Sequence, residues 1–512
     1  MINPEAGLYA KKSDVIIVLL DGTEARSWKN REEAEEKLLL WKQAASALVS
    51  REKNIPVFFS TIDIRENRIK AFSERKYALT LETEWYQYVQ ELSEKEENVY
   101  LFDLADAIRD VGRNQFYSDK MWYMSNMPYS REGLNLVVME LKRVFNSVFS
   151  ARKKIIALDL DNTLWGGVIG EDGVEGIELS DHKEGQRFYD FQRQFLEMQR
   201  RGVLLAVNSK NNPEDAEKAI SEHPDMLLRD EHFAVKKINW DNKAANIKAM
   251  GQELNLTEGS FIFVDDNPIE REVVKGMCPE ILVPEFPEDT TTLLSFAESL
   301  YFDYCRPLKI LSEDLKKTQM YQIEAKRKQE LVSSLNLDDY IAKLEICVDI
   351  HRMKPEELER VTQLCNKTNQ FNVTTKRYTK AQIQELADTE KNAVYTVYAK
   401  DKYGESGLIS VIILSSEDNE MIIDTFLMSC RVMGRKLENV IINEISEFYK
   451  EKFHKMRAVY VPTAKNAPVR ELYDKLGFQL VSECESKKSY ESNLCDYKKQ
   501  SFDIYKEIIF EG

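Results

Sequence analysis

Short, wholly apolar runs alternate with longer amphipathic stretches over the first part of this 512-residue chain. Residues 15–20 (VIIVLL) and 55–61 (IPVFFST) read as buried parallel strands, because a strand covered on both faces has no polar side to alternate. Between them, residues 30–52 set Ala34, Leu38, Trp41, Ala45 and Leu48 on one stripe, which predicts an amphipathic helix. Residues 98–104 predict a third strand and 133–149 a closing helix. Residues 1–150 therefore read as an α/β layer.

The pattern restarts at residue 151. Strands are predicted at 153–163, 203–212 and 260–268, with helices at 185–201 and 242–255. Each strand ends in polar or charged residues, as open α/β sheets place their chemistry at the C-terminal strand ends. Residues 291–340 are polar and helix-forming and read as a connector. Residues 341–512 mix strands (394–401, 407–414, 420–428, 458–463, 475–481) with amphipathic helices such as 436–453. The expected fold class is α/β, with α/β layers at 1–150 and 151–290 and an α+β domain at 341–512.

Composition narrows the classes. Hydrophobic residues make up 43% and charged residues 31%, a globular balance that excludes wholesale disorder. The formal charge of −16 argues against a general nucleic-acid binder. Seven cysteines show no C-x-x-C spacing, so neither a zinc framework nor a disulfide scaffold is expected. No apolar run approaches the roughly 20 residues that span a bilayer. The first residues lack the apolar core of a signal peptide. A cytoplasmic protein without membrane or nucleic-acid partners is expected.

The sharpest constellation is Asp159-Leu160-Asp161-Asn162-Thr163 at a strand end. Later strand ends supply Ser209-Lys210 and Asp265-Asp266, and Lys243 opens the helix between them. A lone D-x-D is ordinarily a turn or a cap. Acidic or hydroxyl ends on three successive strands, with a Lys before the third, suit phosphoryl transfer instead. Asp159 would be the nucleophile and Asp161 the acid/base. Asp159, Asp161, Asp265 and Asp266 would hold Mg²⁺ through hard oxygens. Thr163, Ser209, Lys210 and Lys243 would bind phosphate.

These motifs carry a resemblance. D-L-D-N-T-L followed by W-G-G-V-I-G-E-D-G (165–173), then 223–233, 238–247 and 263–272, resembles the haloacid dehalogenase (HAD) superfamily. More narrowly it resembles the FkbH-like branch of phosphatases and glyceryl transferases, and the likeness extends through 366–379 and 429–438. It implies a capless, Rossmann-like HAD domain with a glycine-rich flap at 166–176. Many such members read C-S-K-N where this chain reads Asn208-Ser209-Lys210-Asn211, so a cysteine-held acyl group is not expected there.

Arg431, Gly434 and Arg435 approximate the diphosphate loop of GNAT acyltransferases, whose chemistry is a helix N-terminus holding an anion. Asn466 and Tyr473 resemble later elements of that fold. These five residues are the expected acyl- or pantetheine-binding set. Cys430 just before the loop is a candidate acyl carrier, or a buried strand cysteine. Before the phosphatase region, relatives resemble an SGNH hydrolase. Here residues 1–150 contain no histidine and no G-D-S, so a degenerate SGNH-like domain without a triad is expected.

The combined expectation is an enzyme: an Mg²⁺-dependent HAD-type phosphatase and acyltransferase. The resemblance implies 1,3-bisphosphoglycerate as substrate and the phosphopantetheine thiol of an acyl carrier protein as glyceryl acceptor, in polyketide or related biosynthesis. Arg152-Lys153-Lys154 and Lys236-Lys237 are candidate basic contacts for an acidic carrier. The rival is a phosphatase or acyltransferase acting on a sugar or peptide intermediate without glyceryl transfer, favoured by Asn208.

Overall fold

The computed structural model describes residues 13–512, apart from 21, 29, 68, 74, 75, 311–316, 333, 464 and 485. The chain divides into two compact units, Met1–Lys317 and Thr318–Gly512.

Two parallel sheets build the first unit. β1 (Ile16–Val18), β2 (Val57–Ser60) and β3 (Val99–Phe102) pair in that order. The predicted helix spans Arg31–Arg51 and buries Ala34, Leu38, Ala45 and Leu48. Asn30 caps it by accepting from the Glu33 N–H. Asp103 and Ser130 are also helix caps, accepting from Asp106 N and Gly133 N.

The second sheet has the order β6-β5-β4-β7, all parallel: β4 (Ile155–Leu158), β5 (Leu204–Ser209), β6 (Phe233–Ile238) and β7 (Phe261–Val264). All residues of β4, β5 and β7 are buried, which explains their apolar runs, interrupted only by Asn208 and Ser209 at the end of β5. β6 was not legible because Lys236 and Lys237 break its apolar run on the sheet edge. Phe191 and Phe195 from the Gln186–Arg200 helix meet Phe286 and Phe296 in an aromatic cluster beneath the sheet. Each such ring contributes about 1.5–3 kcal/mol by burial.

The expected connector is not one element. The helix Leu293–Leu300 belongs to the first unit, where Phe296 stacks on Phe191 at 6.2 Å. Asp303 also accepts from Arg143 at 2.7 Å. The helix Lys317–Val332 falls almost wholly in the second unit, where Arg327 pairs with buried Asp401 at 2.6 Å.

The second unit is a mixed sheet. β8 (Cys347–Arg352), β10 (Asn392–Asp401), β11 (Gly404–Glu417) and β12 (Glu420–Met428) run antiparallel, and β12 then pairs in parallel with β13 (Lys455–Tyr460). β14 (Gln479–Cys484) and β15 (Lys487–Asn493) extend one side, and β16 (Glu507–Glu511) lies beside β8. A two-residue strand, β9 (Phe371–Asn372), pairs with the end of β12. The helix Leu437–Tyr449 links β12 to β13 as a crossover. Among the described residues, no helix is long and apolar enough to cross a membrane.

Candidate functional site

β4 lies between β5 and β7, so chain order reverses at its C-terminal end. That reversal is where an open α/β sheet leaves a crevice. Asp159 is the first residue past β4, and its N–H donates to the Val264 carbonyl of β7 at 3.0 Å. Asp265 is the first residue past β7, and Ser209 ends β5. Sheet register thus brings three distant stretches of sequence to one point.

Lys243 is at the centre. Only 3% of it is exposed, and its Nζ lies 2.8 Å from Asp159 Oδ2 and 2.6 Å from Asp265 Oδ2. Asn242 caps the Lys243–Leu254 helix through Ala244 N and Ala245 N, fixing where the lysine starts. Burial works against the ammonium charge, but Asp159 and Asp265 outweigh it and raise its pKa. Burial and the neighbouring Asp159 push the Asp265 carboxyl up to about 6. The same two causes raise Asp266.

Ligand oxygens of Asp159, Asp265 and Asp266 lie within 4.8 Å of one another. One lysine does not neutralise three carboxylates. Asp159 Oδ1 is also buried without a hydrogen-bond partner. A buried charged oxygen left unpaired is costly. A hard divalent cation would satisfy it, so the donor set fits the expected metal.

Asp161 is not one of the three carboxylates gathered there. Its Oδ1 accepts from Trp165 Nε1 at 2.9 Å and Ile169 N at 3.0 Å, and its Oδ2 from Asn211 Nδ2 at 2.8 Å. Thr163 is engaged with Asp266. Its hydroxyl accepts from Asp266 N at 3.1 Å and lies 3.5 Å from Asp266 Oδ1, so it orients that carboxylate. Lys210 is ion-paired to Glu270 at 2.6 Å. Ser209 is buried beside Asn211, at 3.5 Å.

Two supporting residues were missed. Arg271 donates to the carbonyls of Asp265 (3.0 Å) and Asp266 (2.7 Å), fixing the turn that carries both carboxylates. Asn208 donates to the Lys243 carbonyl at 3.0 Å and accepts from Asn246 at 3.2 Å. The signal for Asn208 was present: a polar residue inside a wholly apolar strand must find buried partners. Asn208→Cys is expected to cost about 1–3 kcal/mol, measured by urea unfolding, because one Asn246 N–H loses its acceptor and the Lys243 carbonyl its side-chain donor.

The flap is a bridged loop. Gly166 and Glu178 exchange backbone hydrogen bonds at 3.1 and 2.8 Å, and a short helix, Ile169–Asp172, fills the loop between them. A Cβ at Gly166 would lie 2.8 Å from both Glu178 and Phe188, so only glycine passes there. Asn162 turns the chain at φ 53°, and its side chain accepts from Gly167 N at 3.0 Å.

In the second unit, three of the five expected pantetheine residues, Arg435, Asn466 and Tyr473, are buried. Arg435 is buried, with Nη1 3.7 Å from Asp401 Oδ2, and Nη2 donates to the Arg431 carbonyl at 3.0 Å. Arg431 reaches Ser429 Oγ at 3.3 Å. Gly434 has φ 78° and is exposed. Asn466 spends its amide on the Asn372 and Val461 carbonyls. Tyr473 is enclosed, its hydroxyl without a partner, and burial raises its pKa. Cys430 lies in a 3-10 turn, and its side chain is outside the described residues. The candidate basic contacts are also engaged. Lys236 pairs with Glu217 and Asp230, Lys237 with Glu253, and Lys153 donates to the Gly259 and Glu280 carbonyls.

No family model matches this chain, and no curated protein matches it. Among solved structures, the chain is similar to the N-terminal part of the protein BF1531 from Bacteroides fragilis, containing a phosphatase domain complexed with Mg. Identity is 26% and TM-score 0.55, over 60% of this chain and 83% of that one. The chain carries a HAD-type domain. Weaker likenesses are to spermidine N-acetyltransferase from Vibrio cholerae, in complex with CoA and spermine, and to an N-acetyltransferase from Staphylococcus aureus. Both are 13% identical, with TM-scores of 0.24 and 0.23, over 29% of this chain and 95% and 99% of theirs. For the second unit, the strand order itself supports a GNAT-like fold: an antiparallel meander, then a crossover helix leading into the parallel β12–β13 pair.

Proposed function

We propose that this chain is an Mg²⁺-dependent phosphatase working through an aspartyl-phosphate at Asp159. The observation that carries this is the unpartnered Asp159 Oδ1 beside Asp265 and Asp266, with Lys243 bonded to the other Asp159 oxygen. Asp159, Asp265 and Asp266 would hold the ion, which supplies charge screening for an anionic phosphate. Asp159 attacks phosphorus and the bond to the leaving oxygen breaks. Asp161 gives that oxygen its proton, then takes one from the water that hydrolyses the aspartyl-phosphate. Lys243 holds Asp159 in line through its 2.8 Å contact to Oδ2. Phosphate release from small phosphoesters, measured with Mg²⁺ and with a chelator, tests this. Equal rates in both would reject it.

The finer reading is glyceryl transfer from 1,3-bisphosphoglycerate to the thiol of an acyl carrier protein. The thiol sulfur would attack the acyl carbon and displace its phosphate, while Asp159 removes the other phosphoryl group. Support for this lies in the long motif likeness at 159–173 and 263–272. A carrier protein gaining glyceryl mass on incubation with chain and substrate would support it. An unshifted carrier, with phosphate still released, would favour the sugar or peptide intermediate.

The metal reading has a pH signature. Asp265 is raised from its ordinary value of 3.8 to about 6, so the metal-free fold binds its proton more tightly than the unfolded chain does. Its contribution is therefore present below about pH 4 and lost as pH rises through about 6. A cation requires the ionised form. The Mg²⁺-induced rise in melting temperature is thus expected to be larger at pH 7.5 than at pH 5, by differential scanning fluorimetry. A pH-independent rise would contradict it.

A further inference from the structure

β12 and β13 pair in parallel only between Glu420–Ile423 and Lys455–Ala458. Past Ile423, every further N–H and C=O on the facing edges needs another partner. The chain supplies one. Phe371 and Asn372 of β9 run antiparallel to Met428 and Leu427. Val373 N donates to the Phe426 carbonyl at 3.1 Å, and Val461 N donates to the Val373 carbonyl at 2.8 Å. The single segment 371–373 is therefore bonded on both sides, to β12 and to the residue after β13.

Its side chains fit the same place. Phe371 and Val373 are buried in the core of the unit, with Phe371 edge-on to Phe426 at 5.4 Å. Asn466 Nδ2 donates to the Asn372 carbonyl at 3.0 Å. Asn372 Oδ1 accepts from Thr375 N at 2.8 Å, and Thr374 Oγ1 donates to the Asp424 carbonyl at 3.1 Å. Thr375 has φ 52°, a conformation that a β-branched residue adopts only when its surroundings impose it.

A coenzyme with its diphosphate at the start of the Leu437–Tyr449 helix would lay its pantetheine amides along the free edge of β12, as an added strand does. That edge is taken. The helix start also disfavours a diphosphate. Glu438 stands in its first turn with Oε2 buried and unpartnered, so an acidic side chain already occupies the helix end that an anion would need. Arg435 points to Asp401 instead.

We propose that residues 371–373 are a built-in occupant of this strand gap, and that the C-terminal unit takes no coenzyme A thioester there. If the glyceryl reading under Proposed function holds, the acyl donor is then the phosphorylated substrate itself, an acyl phosphate. The plug does not depend on that reading.

Two measurements on the full chain test the plug. Amide hydrogen exchange at Val373 and Val461 is expected to be slow, like that of the sheet core, and unchanged by coenzyme A or acetyl-coenzyme A. Calorimetric titration with either is expected to show no saturable binding up to about 1 mM, the range of weak specific sites. Fast exchange at Val373 in the free chain would overturn the proposal. So would saturable coenzyme binding that alters exchange at 371–373 or at the 431–436 loop. Phosphate release is read separately, so failure of the phosphatase reading leaves this test standing.

Discussion

Asp159→Asn is expected to lower phosphate release by at least about 10⁴-fold, as removal of a nucleophile does in hydrolytic enzymes. The carboxamide matches the carboxylate in shape but cannot attack phosphorus at a comparable rate. The fold should tolerate it. Lys243 keeps Asp265 at 2.6 Å, and the crowd of acidic groups loses one charge. Asp159 also pushes the carboxyls of Asp265 and Asp266 upward, so both should ionise more readily in the variant. Turnover is therefore expected to vanish while the melting temperature holds or rises, a pairing that separates chemistry from unfolding. A variant that keeps more than about a tenth of wild-type turnover would remove Asp159 from the nucleophile's role.

The strands that carry this chemistry were legible because they are buried on both faces and end in charge. β4, β5 and β7 have no polar side, and the residues after them are the ones the sheet gathers. Strands with mixed faces were not legible. β8 reads C-V-D-I-H-R and buries only part of its length, and β15 reads K-K-S-Y-E-S-N with a single buried side chain, Tyr490. Both are held by neighbours distant in sequence, which no local pattern encodes. The roles inside the site divided in the same way. Residue type gave Asp159, Lys243, Asp265 and Asp266. It could not say that Lys210 would be drawn to Glu270, that Thr163 would serve Asp266, or that Asp161 would spend both oxygens on Trp165, Ile169 and Asn211. Such outcomes depend on which partner is nearer after folding. The diphosphate-loop motif shows the limit most clearly: Arg435 has the expected type and position, yet it is buried with Nη1 3.7 Å from Asp401 Oδ2.

Lys243→Met is expected to cost about 3–5 kcal/mol of stability at neutral pH, the scale for removing one partner of a buried ion pair. Methionine keeps much of the side-chain volume, so the loss is electrostatic rather than a cavity. Three carboxylate groups then share a pocket with no cation. Lys243 is one of the influences that lower the Asp265 carboxyl, so its removal lets burial and Asp159 raise that group further. A folded-state pKa above the unfolded one gives stability that is present at low pH and lost as pH rises through the folded value. The variant should therefore lie nearer to wild type at pH 5 than at pH 8. Mg²⁺ should restore part of the deficit at pH 8, because a divalent ion replaces the missing charge, while phosphate release stays low for want of the group that holds Asp159 in line. Urea unfolding at the two pH values, with and without Mg²⁺, reads all of this. A deficit equal at both pH values and indifferent to Mg²⁺ would mean that Lys243 fills space and neutralises nothing.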